Sequence, residues 1–131
     1  MAKSPRPLER TIQSNGMTAL RCLGLALYRR NVSLAVADYQ GRKRVIRSGE
    51  PGQSDCYGWI IATGRHVEIE WKRPGNRPTS DQLTWLKWCT KQGVIAYWAD
   101  SVDTAVRVMR VMIQGGRISW HDDDNYDVIK D

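Results

Sequence analysis

An aspartate, a glutamate and a lysine in the middle of the chain have the types and spacing of a metal-dependent catalytic site. Asp55 precedes an apolar run, and Glu70 and Lys72 lie two residues apart on the next run. Side chains alternate between the faces of a strand, so Glu70 and Lys72 share one face. Two neighbouring carboxylates repel each other unless a cation lies between them, and their hard oxygen atoms suit Mg²⁺. The pattern fits a site where a metal activates water and a lysine stabilises negative charge, although strands on protein surfaces often alternate charge in the same way.

A β-hairpin would bring Asp55 to the same face. Two apolar-rich runs are separated by Thr63-Gly64-Arg65, which is typical of a tight turn. These runs cover residues 56–62 and 66–72. If Thr63 and Gly64 form a two-residue turn, Asp55 lies opposite Lys72 and diagonal to Glu70. A one-residue bulge would move Asp55 to the other face, so the predicted site depends on this register.

The other elements predict an α/β domain with a mixed sheet flanked by helices. Apolar periodicity predicts helices at 8–23, 79–92 and 102–112, a short apolar run at 25–28, and strands at 33–39, 42–47 and 94–98. The sequence Thr79-x-x-Gln82 is a capping box, and the helix that it opens would connect two parallel strands. The residues after Ile118 are polar and acidic, and we expect a tail or a last edge segment there.

The composition bounds the size and the partners of the protein. A chain of 131 residues, 41% of them hydrophobic, can bury the core of one domain. The net charge is +6, and residues 1–49 hold ten Lys or Arg against two acids. Such an excess suits a polyanionic partner, although it is also found on ordinary basic surfaces.

The cysteines and the hydropathy indicate a cytoplasmic protein. Cys22, Cys56 and Cys89 are an odd number without metal-ligand spacing, and we expect reduced thiols in the core. No apolar run approaches the roughly 18 residues that a membrane span needs, and the N-terminus lacks a signal-like apolar region. The protein is therefore expected to be neither secreted nor embedded in a membrane.

Motifs extend on both sides of the candidate site. They read Gly52-Gln53-Ser54-Asp55, then Glu68-Ile69-Glu70-Trp71-Lys72-Arg73-Pro74-Gly75, then Gln82-Leu83-Thr84-Trp85-Leu86. Together they resemble the VRR-NUC (virus-type replication-repair nuclease) family of the PD-(D/E)xK superfamily, in its small stand-alone form. Upstream, Glu9-x-x-Ile12-Gln13 is similar to the family's first acidic motif, and Arg30-Asn31 to its R-x-N-like element. The chain departs from the family at Ser54, where a proline is usual.

The resemblance implies a fold and a set of site residues. The fold would be restriction-endonuclease-like, with the order α-β-β-β-α-β-α over residues 1–115 and an acidic tail over 116–131. It implies metal ligands at Asp55, Glu70 and the backbone carbonyl of Trp71, with Glu9 as a second-metal or water-mediated ligand. Lys72 would be the catalytic lysine, and Gln82 would position groups near the site.

It also implies a function and partners. The protein would be a homodimeric endonuclease that needs Mg²⁺ or Mn²⁺ and acts on branched DNA such as Holliday junctions, in a bacterial or phage-infected cell. Candidate residues for DNA contacts are Arg30, Asn31, Arg42, Lys43, Arg44, Arg47 and Arg73. The alternative is a catalytically inactive module of the same fold that binds nucleic acid or a partner protein.

Several of these residues also have purely structural interpretations. Glu9 could be only a favourable acid in the first turn of a helix, and Gln82 only the capping partner of Thr79. Glu68 is expected to form an ion pair with an arginine, and His66 and His121 to lie on the surface. The tryptophans expected in the core, rather than as platforms for base stacking, are Trp59, Trp71, Trp85, Trp88 and Trp98.

Overall fold

The computed structural model describes residues 7–30, 34–39, 41–47 and 50–131, with the side chains of 34–39 and 42–47 outside that description. The helices are α1 (Glu9–Cys22), α2 (Ser80–Lys91) and α3 (Val102–Ile113). The strands are β1 (Leu25–Arg29), β2 (Leu34–Tyr39), β3 (Arg42–Arg47), β4 (Cys56–Ile60), β5 (His66–Trp71), β6 (Ile95–Ala99), β7 (Arg117–Trp120) and β8 (Tyr126–Ile129). All the helices and strands that the sequence predicts are present.

A four-stranded mixed sheet forms the centre of the domain. Its strand order is β1-β4-β5-β6, with β4 antiparallel to both of its neighbours, β1 and β5, and β6 parallel to β5. The connection from β5 through α2 to β6 is the predicted crossover. Two further pairs, β2–β3 and β7–β8, form separate two-stranded sheets. The sheet and its helices follow the chain order α1, β1, β4, β5, α2, β6, α3.

The two faces of the sheet are buried by different helices. Helices α1 and α3 cover the face that carries Val67, Ile69 and Trp71, all of them fully buried. Helix α2 covers the other face of β5 and β6, where Leu86 and Ala96 form a second small core. Strand β6 is therefore buried on both sides, as its continuous apolar sequence predicts.

Gly16 explains how α1 comes so close to the sheet. A β-carbon at this position would lie 2.2 Å from the ring of Trp71, closer than any real contact. Asn15-Gly16 weakens the helical pattern in the sequence, yet α1 is continuous across it. The glycine lowers helix propensity and in return lets the helix pack directly on the indole.

The turn between β4 and β5 is longer than predicted. The amide of Ile60 donates to the Arg65 carbonyl (3.0 Å), and the amide of Gly64 donates to the Ile60 carbonyl (2.7 Å), so the four residues 61–64 lie within the closing pair Ile60–Arg65. Cys56 pairs with Ile69, and the same register places Asp55 opposite Glu70. The predicted two-residue turn and the Asp55–Lys72 pairing are therefore wrong. The shift is two residues, so each side chain keeps its predicted face.

The C-terminal acidic segment is folded. Strands β7 and β8 form a hairpin over residues 117–129. Trp120 and Tyr126 pack against the main core, and the Tyr126 hydroxyl donates to the Trp98 carbonyl at 2.6 Å. Packing of these aromatic rings holds the C-terminal hairpin against the domain, whereas the composition of this segment predicts only a tail or an edge segment.

Two expectations about burial need correction. Cys56 and Cys89 are buried free thiols, as predicted, but Cys22 is exposed. Trp71 is fully buried, whereas the side chains of Trp59 and Trp88 are 39% and 54% exposed. His66 and His121 lie on the surface as expected. None of the described helices is long and apolar enough to cross a membrane.

Candidate metal centre

The structure brings together the three acids that the sequence singles out. Glu9 is the first residue of α1, Asp55 comes directly before β4, and Glu70 lies near the end of β5. One carboxylate oxygen of each lies within 4.8 Å of the others. The start of α1 reaches the end of the sheet, so Glu9 is both a first-turn acid and a member of the cluster. These carboxylates define the candidate metal centre.

Burial and mutual repulsion raise the pKa values of the two acids on the strands. Burial, followed by the charge of Glu9, raises the pKa of Asp55 to about 7. Burial, followed by the charge of Asp55, raises the pKa of Glu70 to about 8. Lys72 opposes both shifts but does not cancel them. Near neutral pH the pair therefore retains protons unless a cation compensates its charge.

One oxygen of the cluster is left without a protein partner. Asp55 Oδ1 is buried and accepts no hydrogen bond from any part of the chain that the structure describes. A buried acceptor without a donor costs about 1–3 kcal/mol, more when it is charged. The three acids offer only hard oxygen donors, which is the ligand type of Mg²⁺ and Mn²⁺. The donor set thus fits a hard divalent cation.

Lys72 and Gln82 both contact Glu70, as expected of groups near the site. Lys72 Nζ lies 3.6 Å from Glu70 Oε1 and is mostly buried. Gln82 Nε2 donates to the same oxygen at 3.0 Å. The Gln82 side-chain carbonyl accepts from the Thr79 amide at 2.9 Å, which completes the capping box. Gln82 therefore contacts both the cap of α2 and Glu70, while its positioning role stays a prediction.

A second buried acid, Glu68, anchors the loop that delivers Asp55. Arg30 binds both of its oxygens, at 2.7 and 3.1 Å, and this is the arginine pair that the sequence predicts. The side chains that complete the shell of Glu68 are Ser54, His66 and Trp85, at 2.9–3.0 Å. Arg30 also donates to the Ser54 carbonyl, and its amide donates to the Asp55 carbonyl, both at 2.8 Å.

This network was only partly accessible from the sequence. Arg30 is predicted to contact DNA, but its guanidinium is engaged with Glu68 and the Ser54 loop and is 19% exposed. Ser54 is fully buried and donates its hydroxyl to Glu68. Arg30 lies beside Asp55 because β1 pairs with β4 in antiparallel register, and no motif in the sequence indicates that pairing.

Other predicted site residues stay as predictions. Asn31 and the side chains of Arg42, Lys43, Arg44 and Arg47 lie outside the described part of the chain. Arg73 follows Lys72 immediately after β5. A backbone hydrogen bond from Trp71 lowers the pKa of Asp55, while a ligand role for the Trp71 carbonyl stays a prediction.

A cavity of about 740 Å³ lies between β6, α3 and β8. None of the three clustered acids lines it. Its charged lining is mixed, with Asp100 and Asp127 beside Arg107 and Lys130. Size alone does not make a catalytic site, so the smaller polar cluster is the stronger candidate because its groups converge.

No family model, curated protein or solved structure matches the chain. Any functional assignment therefore rests on the residues and their arrangement.

Proposed function

We propose that the protein is a Mg²⁺- or Mn²⁺-dependent DNA endonuclease that hydrolyses phosphodiester bonds at the Glu9–Asp55–Glu70 centre. The convergence of these three carboxylates, with Lys72 and Gln82 held against Glu70, carries the proposal. Acidic clusters on a surface are common and solvated. Here Glu70 is 3% exposed and Asp55 has a bare buried oxygen, so the cluster has a cost that a bound cation would offset.

Each residue has a distinct part in the proposed reaction. A bound divalent cation would supply an activated water and neutralise charge on the phosphate. Asp55 and Glu70 would hold it, with Glu9 as a third ligand, directly or through water. Lys72 would stabilise the charge that develops on the phosphate oxygens. Gln82 fixes one oxygen of Glu70, and the Glu68–Arg30 network fixes the backbone at Asp55.

The order of the elements supports a restriction-endonuclease-like fold. Without the β2–β3 pair and the C-terminal hairpin, the chain reads α-β-β-β-α-β-α. Asp55 directly precedes the second strand of the sheet, and Glu70 lies on the third. In this interpretation β2 and β3 are an insertion between the first two strands. The motifs that resemble VRR-NUC nucleases lie on these same elements.

The proposed substrate is branched DNA such as a Holliday junction, bound by a homodimer. The net charge of +6 and its concentration in the N-terminal residues support a polyanionic partner. Contacts to phosphates, rather than to base edges, would recognise the shape of the substrate.

The direct experiment is cleavage of a labelled four-way junction in Mg²⁺. Lys72→Ala and Asp55→Asn should each lower the cleavage rate by orders of magnitude while leaving DNA binding largely intact. Asp103→Asn is the matched control, because this acid is exposed on α3 and outside the cluster. If both site variants cut at the rate of the unmodified protein, the assignment fails.

Calorimetric titration with Mn²⁺ separates the enzyme from an inactive module of the same fold. The enzyme should bind Mn²⁺, and Asp55→Asn should abolish the binding. A chain that binds junctions but neither binds Mn²⁺ nor cleaves would contradict the proposed activity.

A further inference from the structure

Three aromatic side chains continue the face of the sheet on which the carboxylates lie. Tyr57 and Trp59 follow Asp55 at every second residue of β4, so all three point to the same side. Tyr28 of β1 joins them, with its ring centroid 6.0 Å from that of Tyr57 and 5.6 Å from that of Trp59. Tyr28, Tyr57 and Trp59 are called the aromatic row below.

The aromatic row is left open because α2 covers only part of this face. Helix α2 packs over β5 and β6, while the corresponding face of β1 and β4 carries no helix among the described elements. Tyr28 is 47% exposed and Trp59 39% exposed. Large aromatic rings in a row on the surface are typical of a binding surface.

The charged groups beside the aromatic row are paired with one another, so they do not repel an anionic, aromatic ligand. The guanidinium of Arg30 lies 4.6 Å from the centre of the Tyr57 ring. His66, which pairs with Trp59 across the strands, adds an imidazole. Glu68, which lies on the same face of β5, is 1% exposed and is paired with Arg30. Among the described residues of β1, β4 and β5 on this face, phosphates would therefore meet no exposed carboxylate next to the rings.

Another exposed indole lies in a different electrostatic environment. Trp88 of α2 is 54% exposed and lines a groove with Glu50 and Asp81. These two exposed carboxylates would repel phosphates, so the groove is a poor site for nucleic acid. The contrast selects the aromatic row and makes Trp88 a matched control.

We propose, on the basis of the nuclease function above, that the aromatic row stacks unpaired nucleobases of the DNA strand whose phosphate enters the metal centre. Stacking accepts any base, because each has a π-face, but it needs bases that are not inside a duplex. Residues two apart on a strand are roughly 7 Å apart. A base on Tyr57 would therefore lie next to a phosphate held at Asp55, which directs cleavage to single-stranded stretches near branch points.

The test is binding of single strands without metal, so that catalysis does not enter. Fluorescence anisotropy in EDTA compares three probes of equal length: a labelled oligothymidylate, the same backbone with abasic sites, and a duplex. Trp59→Ala and Tyr28→Ala should weaken oligothymidylate binding by roughly 5- to 100-fold. Binding of the abasic strand and the duplex should change by less than about twofold. Trp59→Phe should recover most of the affinity, and Trp88→Ala should leave it unchanged.

Three results would overturn the proposal. The first is unchanged oligothymidylate affinity in both alanine variants, and the second is an equal loss on the abasic strand. The third is loss of a dimer in sedimentation velocity together with the affinity, since the aromatic row would then be an interface between two copies of the chain.

Failure of this proposal and failure of the nuclease assignment are distinguishable. If the protein cleaves junctions in Mg²⁺ but binds oligothymidylate equally well with and without Trp59, only the stacking proposal is contradicted. If binding changes in the variants as expected but the protein never cleaves, the stacking proposal is supported and the nuclease assignment is contradicted.

Discussion

Without metal, the protein should lose stability as the pH rises from about 5 to about 8. Asp55 and Glu70 have ordinary pKa values of 3.8 and 4.5, which the fold raises to about 7 and about 8. An acid with a raised pKa keeps its proton in the folded state at a pH where the unfolded chain has released it. Ionisation of the folded protein is thus unfavourable, and the free energy of unfolding falls between the unfolded and folded pKa values. Above about pH 8 the loss is complete.

The size of this effect follows from the shifts. Since a tenfold change in an equilibrium constant corresponds to about 1.4 kcal/mol, raising the pKa of Asp55 from 3.8 to about 7 costs roughly 4 kcal/mol for that acid alone. The repulsion between Asp55 and Glu70 contributes to both shifts and should be counted once, so the pair costs on the order of 5 kcal/mol. Since domains are stable by only about 5–15 kcal/mol, the metal-free protein should be marginal at pH 8.

The assay is urea unfolding followed by tryptophan fluorescence, in steps from about pH 5 to about pH 8, with EDTA or with Mn²⁺. Mn²⁺ at about 100 times its dissociation constant should restore about 2.7 kcal/mol at the alkaline end. Asp55→Asn should flatten the pH dependence in EDTA, whereas Asp103→Asn should not. Stability that stays constant or rises with pH in EDTA would refute the coupling of burial and repulsion inferred for this pair.

Three further predictions concern the parts that support the site. Arg30→Ala should destabilise the protein by about 3–5 kcal/mol in urea unfolding, because it leaves Glu68 buried without its main partner, while Arg110→Ala on the exposed face of α3 should change little. Gly16→Ala should lower the melting temperature and cost about 1–3 kcal/mol of stability, because the added methyl group clashes with Trp71. Asn15→Ala, at the neighbouring exposed position, should be neutral or stabilising. A stabilising Gly16→Ala would contradict the close packing of α1. Gln82→Ala and Thr79→Ala should each cost about 1 kcal/mol of stability, because both remove the helix cap. Of these two residues, Gln82 is the one that contacts Glu70, so only Gln82→Ala should also weaken Mn²⁺ binding. Equal Mn²⁺ affinity in the two variants would contradict its positioning role.

The parts of the fold that could be read from the sequence are those fixed by local signals. The capping box Thr79-x-x-Gln82 places the start of α2 to the residue. The apolar run of β6 predicts a strand buried on both faces, and the crossover from β5 follows from the order of the elements. These features depend on neighbours a few residues away, so no knowledge of tertiary packing is needed.

The parts that could not be read depend on contacts between distant residues. Ile61 and Ala62 look like the end of a strand, but they lie in the turn, and Ile61 is 64% exposed. The C-terminal hairpin is held by Tyr126 against Trp98, a contact across 28 residues. Whether Trp59 is covered or bare depends on the width of sheet that α2 spans. A sequence pattern contains none of these distances.

The corrected register makes the functional argument stronger than the motif did. With Asp55 opposite Lys72, the pair would have been an ordinary cross-strand ion pair, which is mildly favourable on any sheet. With Asp55 opposite Glu70, two like charges face each other in a partly buried position, and the Asp55 amide donates to Glu70 at 3.3 Å. Such an arrangement is destabilising by itself, and Glu9 adds a third negative charge from another element. The cation proposed above would offset this cost at all three acids at once, because each of them offers it an oxygen.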